Sequence, residues 1–326
     1  MRAVRVHELT GPAAMRVDDD VPTPSLGAGQ VLIDVHAAGV NYPDILLTRG
    51  MYQFKPSPPF SPGGEAAGVV SAVGEGVTSI AVGDRVAATM LYGAYAQQVV
   101  VPELAVTPLP PNVSFEIGAA TLLTYATTYH ALADRAALQA GETLLVLGAA
   151  GGVGIAAVEL GALMGARVIA AASTDDKLAF CRAHGAHEGI NYAREELKER
   201  IKALTCGNGC DVIYDPVGGS LAEPALRGAA WQGRYLVIGF ASGDIPKIPL
   251  NLVLLKGCQI VGVFWGSFAM REPAKNRAHA AQLFAWIGEG KLAPHVDAVV
   301  PLAEAASALH RLERREVMGK LVLATR

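Results

Sequence analysis

The chain is poor in charge and in aromatic side chains. Of its 326 residues, 17% are Asp, Glu, Lys or Arg and 6% are Phe, Trp or Tyr, against 51% that are hydrophobic. Little charge beside so much apolar surface excludes a disordered, self-repelling chain, because burial can offset the entropy of folding. The charges nearly cancel, 27 basic residues against 30 acidic for a net of −3. Nothing electrostatic therefore recommends nucleic acid or an anionic membrane as a partner. Cysteine is scarce: Cys181, Cys206, Cys210 and Cys258. The second and third are spaced CxxxC, but no second cysteine pair or nearby histidine completes a tetrahedral zinc set, and disulfides are not expected. No apolar run reaches membrane-spanning length, and the opening MRAVRVHELTGP lacks the apolar core of a signal peptide. The expectation is a soluble, cytoplasmic protein of about two domains.

Glycine, by contrast, is plentiful, and one glycine-rich stretch organises the rest: residues 143–173, TLLVLGAAGGVGIAAVELGALMGARVIAAAS. Thr143 to Gly148 reads as a buried parallel strand and Ala149 to Gly154 as a tight turn. Val153 to Gly165 has helical spacing, and Arg167 to Ala172 is a second buried strand. A pyrophosphate belongs at such a helix start, where N–H groups and the helix dipole favour an anion. Ala150, Gly151, Gly152 and Val153 line the turn, and Gly154 allows close helix–strand packing. Ala149 stands where the first glycine of the usual GxGxxG would be. An NAD site wants an acidic residue about 20 residues further on, to bond the ribose 2′-OH. Ser173 stands at that strand end, Lys177 follows one helical turn later, and the pair favours NADPH, with Asp175 and Asp176 arguing the other way.

Residues 1–120 read as short strands between Gly, Pro and Asp turns: Ala3 to His7, Gln30 to Ala38, Ala66 to Val73, Arg85 to Ala88 and Tyr95 to Val101. They suggest a small, partly open barrel, with a short helix from Pro43 to Arg49 after Asn41. Residues 121–265 alternate strand and helix, the pattern of a doubly wound parallel sheet. Strands are expected at Gly189 to Tyr192, Asp211 to Pro216, Arg234 to Phe240 and Gln259 to Trp265, with a helix from Arg194 to Leu204. Helices at Lys275 to Gly288 and Leu302 to Arg311, with strands at His295 to Val300 and Gly319 to Leu323, complete the chain. The last of these strands suit a return to the first domain better than an extension of the parallel sheet.

With GVNYPDILLTRGMY (39–52), PGGEAAGVVSAVGEGV (62–77), VGDRV (82–86), GAYAQ (93–97), LGAAGGVG (147–154), DVIYDPVGG (211–219) and MGKLVL (318–323), the chain resembles the medium-chain dehydrogenase/reductase superfamily, and within it the zinc-independent NADPH:quinone oxidoreductases. The resemblance implies an α/β fold: a GroES-like β-rich catalytic domain over 1–121, a Rossmann domain over 122–265 and a return to the catalytic domain over 266–326. The zinc branch has Cys where this chain has Asp44, and GHE where it has Gly63-Gly64-Glu65, so no catalytic metal is expected.

The resemblance also assigns residues. It places Asn41 and Thr127 near the nicotinamide, although Asn41 reads equally as a helix cap. Ser173, Lys177, Tyr192 and Arg315 surround the adenosine 2′-phosphate. Gly239 and Phe240 border the cofactor, and the backbone of Phe264 and Trp265 holds its carboxamide, while their rings read equally as core. Tyr52 matches a tyrosine that related enoyl-thioester reductases are thought to use for protonation. The implied activity is hydride transfer from NADPH to quinones or other α,β-unsaturated carbonyls. An enoyl-thioester reductase and a non-catalytic NADPH-binding protein are the alternatives. The apolar segment Ile260 to Phe264 at a sheet edge predicts a homodimer.

Overall fold

Alternating burial builds the first strands. β1 (Ala3–Val6) pairs antiparallel with β2 (Met15–Asp18). β3 (Gln30–Val40) is the longest strand, at 11 residues, and its inward positions Val31, Ile33 and Val35 are almost wholly buried. β4 (Glu65–Val73), β5 (Arg85–Thr89), β6 (Gln98–Pro102) and β7 (Val106–Pro108) follow. β2 and β7 are additional to the expected strands; both are too short to show a period. β6 begins three residues later than expected, because Tyr95 turns fully inward and ends the regular pattern.

A second run of strands forms a separate parallel sheet: β8 (Thr143–Leu147), β9 (Arg167–Ala172), β10 (Glu188–Asn191), β11 (Cys210–Asp215), β12 (Ala229–Val237) and β13 (Gln259–Gly262). Their order is β10-β9-β8-β11-β12-β13, every pair parallel. Leu144, Leu145, Val146 and Leu147 are completely buried, as expected of a strand covered on both faces. Expectations shift at several elements of this unit. The helix expected from Arg194 spans Leu197–Leu204, because residues 191–195 form a turn held by Asn191. β13 ends at Gly262, and Trp265 opens a helix, Trp265–Arg271, instead of ending the strand.

β14 (Val296–Pro301) and β15 (Lys320–Ala324) then join the antiparallel strands, in the order β14-β15-β3-β4-β5-β7, with β6 also on β3. The computed structural model describes residues 1–326, which divide into one unit of Met1–Leu123 with Ala269–Arg326 and another of Thr124–Phe268. The core of the first unit is built on β3, β4 and β15, including Val35, Ile45, Val70 and Leu323. That of the second includes Leu145, Ile169, Ile190 and Ile213 from its strands. No helix is long and apolar enough to cross a membrane.

Candidate functional site

In the parallel-sheet unit, β8 runs into the glycine turn. Gly148 has φ 58°, the left-handed region that glycine enters without strain. A Cβ at Gly154 would lie 2.3 Å from the Gly148 carbonyl oxygen and 2.8 Å from Ala149 Cα. Only glycine therefore lets the helix Gly152–Leu163 sit so close to the turn. Gly151 caps that helix with no side-chain bond to the first-turn N–H groups. Ala150 is buried beneath them, while Gly151, Gly152 and Val153 are half-buried. This geometry suits a phosphate: an uncapped helix start at the carboxyl end of a central parallel strand.

The walls of the turn come from residues the sequence reading left unassigned. Asp215, buried at the end of β11, accepts from the N–H groups of Val217 (2.7 Å) and Gly218 (2.8 Å), and from the Tyr235 hydroxyl. Its carboxylate thus folds the 216–219 loop beside Gly148. Thr128 Oγ1 meets the Tyr214 hydroxyl at 2.8 Å and the Val153 carbonyl at 3.4 Å, tying Tyr214 to the helix start. Thr127, the residue singled out from sequence, is the half-buried neighbour in the same helical turn. No sequence period distinguishes one threonine from the other.

Ser173 lies just past β9, half-buried. Thr174 caps the helix Asp175–Ala183 by accepting from the Lys177 N–H. The Tyr192 N–H donates to the Ala172 carbonyl (3.1 Å), so Ser173, Lys177 and Tyr192 share one corner at the ends of β9 and β10. Gly239 and Phe240 do not end a strand as expected: β12 stops at Val237, and the loop after it bonds to the 215–217 segment through Ala241 N–H and Pro216 O. Phe240 and Phe264 are exposed and Trp265 half-buried.

In the other unit, the most concentrated chemistry is a closed polar cluster under β3, β4 and β15. The Lys320 ammonium donates to Glu65 Oε1 (2.8 Å), Asn41 Oδ1 (2.5 Å) and the Val40 carbonyl (2.9 Å), which uses all three of its protons. Asn41 Nδ2 donates to Glu65 Oε1 (2.9 Å), and Glu65 Oε2 accepts from the Leu123 N–H (2.8 Å). Asp44 Oδ2 accepts from the Asn41 N–H and the Tyr95 hydroxyl, both at 2.8 Å. All five side chains are buried. Gly39 makes room for them, because a Cβ there would sit 2.5 Å from Glu65 Oε1.

Asn41 stands at the N-cap of its helix, Tyr42–Thr48, with Asp44 accepting from its backbone N–H, while its side-chain amide is held by Glu65 and Lys320. Asp44 has its pKa pushed up to about 6, chiefly because burial strips water from the carboxylate. Tyr52 is half-buried against the same core, and burial followed by the Asp44 charge raises its phenol pKa, so it stays protonated. Arg315 is exposed in this unit with φ 58°, whereas Ser173, Lys177 and Tyr192 belong to the other. Nothing local in the sequence marks Lys320, because MGKLVL reads as an ordinary final strand.

These donors do not fit a tetrahedral zinc. The cluster offers neither thiolate nor imidazole, its carboxylates are committed to neutral donors and an ammonium, and no three His, Cys, Asp or Glu side chains are arranged to hold a metal.

A parallel sheet with an uncapped glycine helix start, in one chain with an antiparallel β unit, defines a two-domain nucleotide-binding architecture. Residues 27–111 match the alcohol dehydrogenase GroES-like domain and residues 152–285 the zinc-binding dehydrogenase family. The quinone oxidoreductase-like protein 2 homolog of Nematostella vectensis is 40% identical over 328 residues, which cover 100% of this chain and 89% of the relative. The human quinone oxidoreductase is 33% identical, over 99% of this chain and 97% of its own. The Escherichia coli quinone oxidoreductase, solved in complex with NADPH, superimposes with a TM-score of 0.92 at 29% identity over the whole of both chains. The chain belongs to the medium-chain dehydrogenase/reductase superfamily, and within it to the quinone oxidoreductase family.

Proposed function

We propose that this protein is an NADPH-dependent reductase of quinones and other α,β-unsaturated carbonyls that works without zinc. The observation that carries the reading is the uncapped Gly151–Gly154 helix start beside β9, which is followed directly by Ser173 where an acidic residue would favour NADH. When bound, NADPH supplies a hydride, and electron-poor acceptors need little Lewis-acid help to take it. The chain's own residues do the rest. Ala150 to Gly154 hold the pyrophosphate, with the 216–219 and 238–241 loops as walls. Ser173, Lys177 and Tyr192 receive the 2′-phosphate, and Arg315 is assigned to the same group from the family resemblance. Thr127, Phe264 and Trp265 are proposed to bound the nicotinamide.

Tyr52, held protonated, offers its hydroxyl to the acceptor oxygen as charge develops there. Asn41 is kept in one orientation by Lys320 and Glu65. The protein works as a homodimer, paired through β13.

The test is NADPH oxidation, with NADH as control, on 1,4-benzoquinone, 9,10-phenanthrenequinone, simple enones and crotonyl-CoA. Turnover with NADPH on quinones or enones is expected. Turnover confined to the CoA ester would make the protein an enoyl-thioester reductase. Binding of NADPH with no turnover on any acceptor would overturn catalysis altogether.

A further inference from the structure

The corner at the ends of β9 and β10 carries a charge pair that the cofactor reading does not use. Asp175 is the first residue of the helix after β9, two positions past Ser173. A carboxylate there is placed to accept a ribose 2′-hydroxyl and to repel a 2′-phosphate. Its oxygens are already occupied. Arg194 Nη2 donates to Oδ1 at 2.5 Å and to Oδ2 at 2.6 Å, and Asn191 Nδ2 donates to Oδ1 at 3.0 Å. The Asn191 side chain also accepts from the Ala193 N–H, which holds the 191–195 turn against the helix start. Arg194 is thus brought to the corner that contains Ser173, Lys177 and Tyr192.

Two features make this pair more than a clamp. Both partners are well exposed, with side-chain accessibilities of 64% for Arg194 and 58% for Asp175. An exposed pair of this kind is weak and readily exchanged. Only one guanidinium nitrogen is engaged, so Nε and Nη1 of Arg194 remain able to donate. A planar guanidinium with open N–H groups matches the oxygens of a phosphate.

We propose that Arg194 sets the preference for a 2′-phosphorylated nucleotide, by covering the Asp175 carboxylate and presenting its remaining N–H groups to the phosphate. The proposal rests on the reading that this unit binds NADPH. It makes Arg194 a specificity-determining residue that works through charge: without it the Asp175 charge is uncompensated and the corner favours the unphosphorylated ribose.

The test is calorimetric titration of the full-length protein with two fragments, 2′,5′-ADP and 5′-ADP, for the wild type, Arg194→Ala, Asp175→Asn and the double variant. Wild type should prefer 2′,5′-ADP. Arg194→Ala should weaken 2′,5′-ADP by about tenfold or more while 5′-ADP holds or improves. Asp175→Asn should keep or strengthen 2′,5′-ADP binding, and adding it to Arg194→Ala should recover part of the loss. If Arg194→Ala weakens both fragments equally, or neither, in a protein whose wild type discriminates, Arg194 is only a structural clamp and the proposal fails. A wild type that does not discriminate would instead overturn the NADPH reading itself. A matched thermal midpoint for the variants checks that each has folded.

Discussion

Asp44 shows how one buried side chain can make stability depend on pH. Its carboxyl has an ordinary pKa of 3.8, pushed up to about 6 in the fold because burial costs the charged form more than Tyr95, Asn41 and Lys320 return. A raised carboxyl pKa means that folding favours the protonated form. Its contribution is complete below about pH 4 and is lost as pH rises through 6, a cost on the order of 2–3 kcal/mol at neutral pH. Asn at this position keeps an oxygen for the Asn41 N–H and the Tyr95 hydroxyl without the charge. Asp44→Asn should therefore gain on the wild type in unfolding midpoint between pH 4.5 and pH 7.5. A difference that stays flat over that range would show that Asp44 is not the titrating group. In the sequence Asn41 reads as a helix cap or, by the family resemblance, as a residue beside the nicotinamide, and Glu65 only as the acid that ends Gly63-Gly64-Glu65. Their pairing with Lys320, 279 and 255 residues away, has no local signal.

At the scale of elements, the strand-turn-helix unit is the part whose sequence and structure agree most closely. Thr143 to Leu147, the turn and the helix lie where the apolar run, the glycines and the helical spacing put them, because each is decided within a few residues. Gly154 is the tightest point. Gly154→Ala drives a methyl into the Gly148 carbonyl, so the helix start must move outward. Overpacking of this kind costs about 1–3 kcal/mol, and affinity for 2′,5′-ADP should fall with it. Titration of Gly154→Ala with unchanged affinity would show that the helix start is not where the phosphate binds. The elements that departed from expectation have tertiary causes. β13 gives way at Gly262 to a helix that starts at Trp265, and β12 stops at Val237, beyond which the chain turns so that Ala241 N–H bonds to Pro216 O.

At the scale of the whole molecule, the parallel sheet ends in an uncovered edge. β13 is the last strand of its sheet, Ile260 on it is 39% exposed, and Trp231, Leu250, Leu254 and Leu255 are each at least 70% exposed. Unpaired strand N–H and C=O groups beside large apolar side chains invite another strand. A second copy of the chain, pairing edge to edge, is the proposed occupant. Light scattering behind size exclusion should return twice the 33.9 kDa chain mass. The double variant Ile260→Lys with Leu254→Glu should return the single mass with its far-ultraviolet circular dichroism unchanged. A wild type that elutes as a monomer at micromolar concentration would end the proposal.

Read by itself, the amino-acid sequence determined the features that short-range physics controls: the alternation that makes a parallel sheet, the glycines that admit a helix start to a turn, Ser173 in place of an acid at the end of β9, and the lack of thiolate and imidazole in the positions of a catalytic zinc set. The tertiary structure decided what depends on neighbours distant in sequence. It brought β15 beside β3 so that Lys320 fills the space between Asn41 and Glu65. It set the 191–195 turn against the helix start so that Arg194 covers Asp175. Both pairings follow from which strands lie side by side, and that is settled by packing of the whole core, which no single segment encodes.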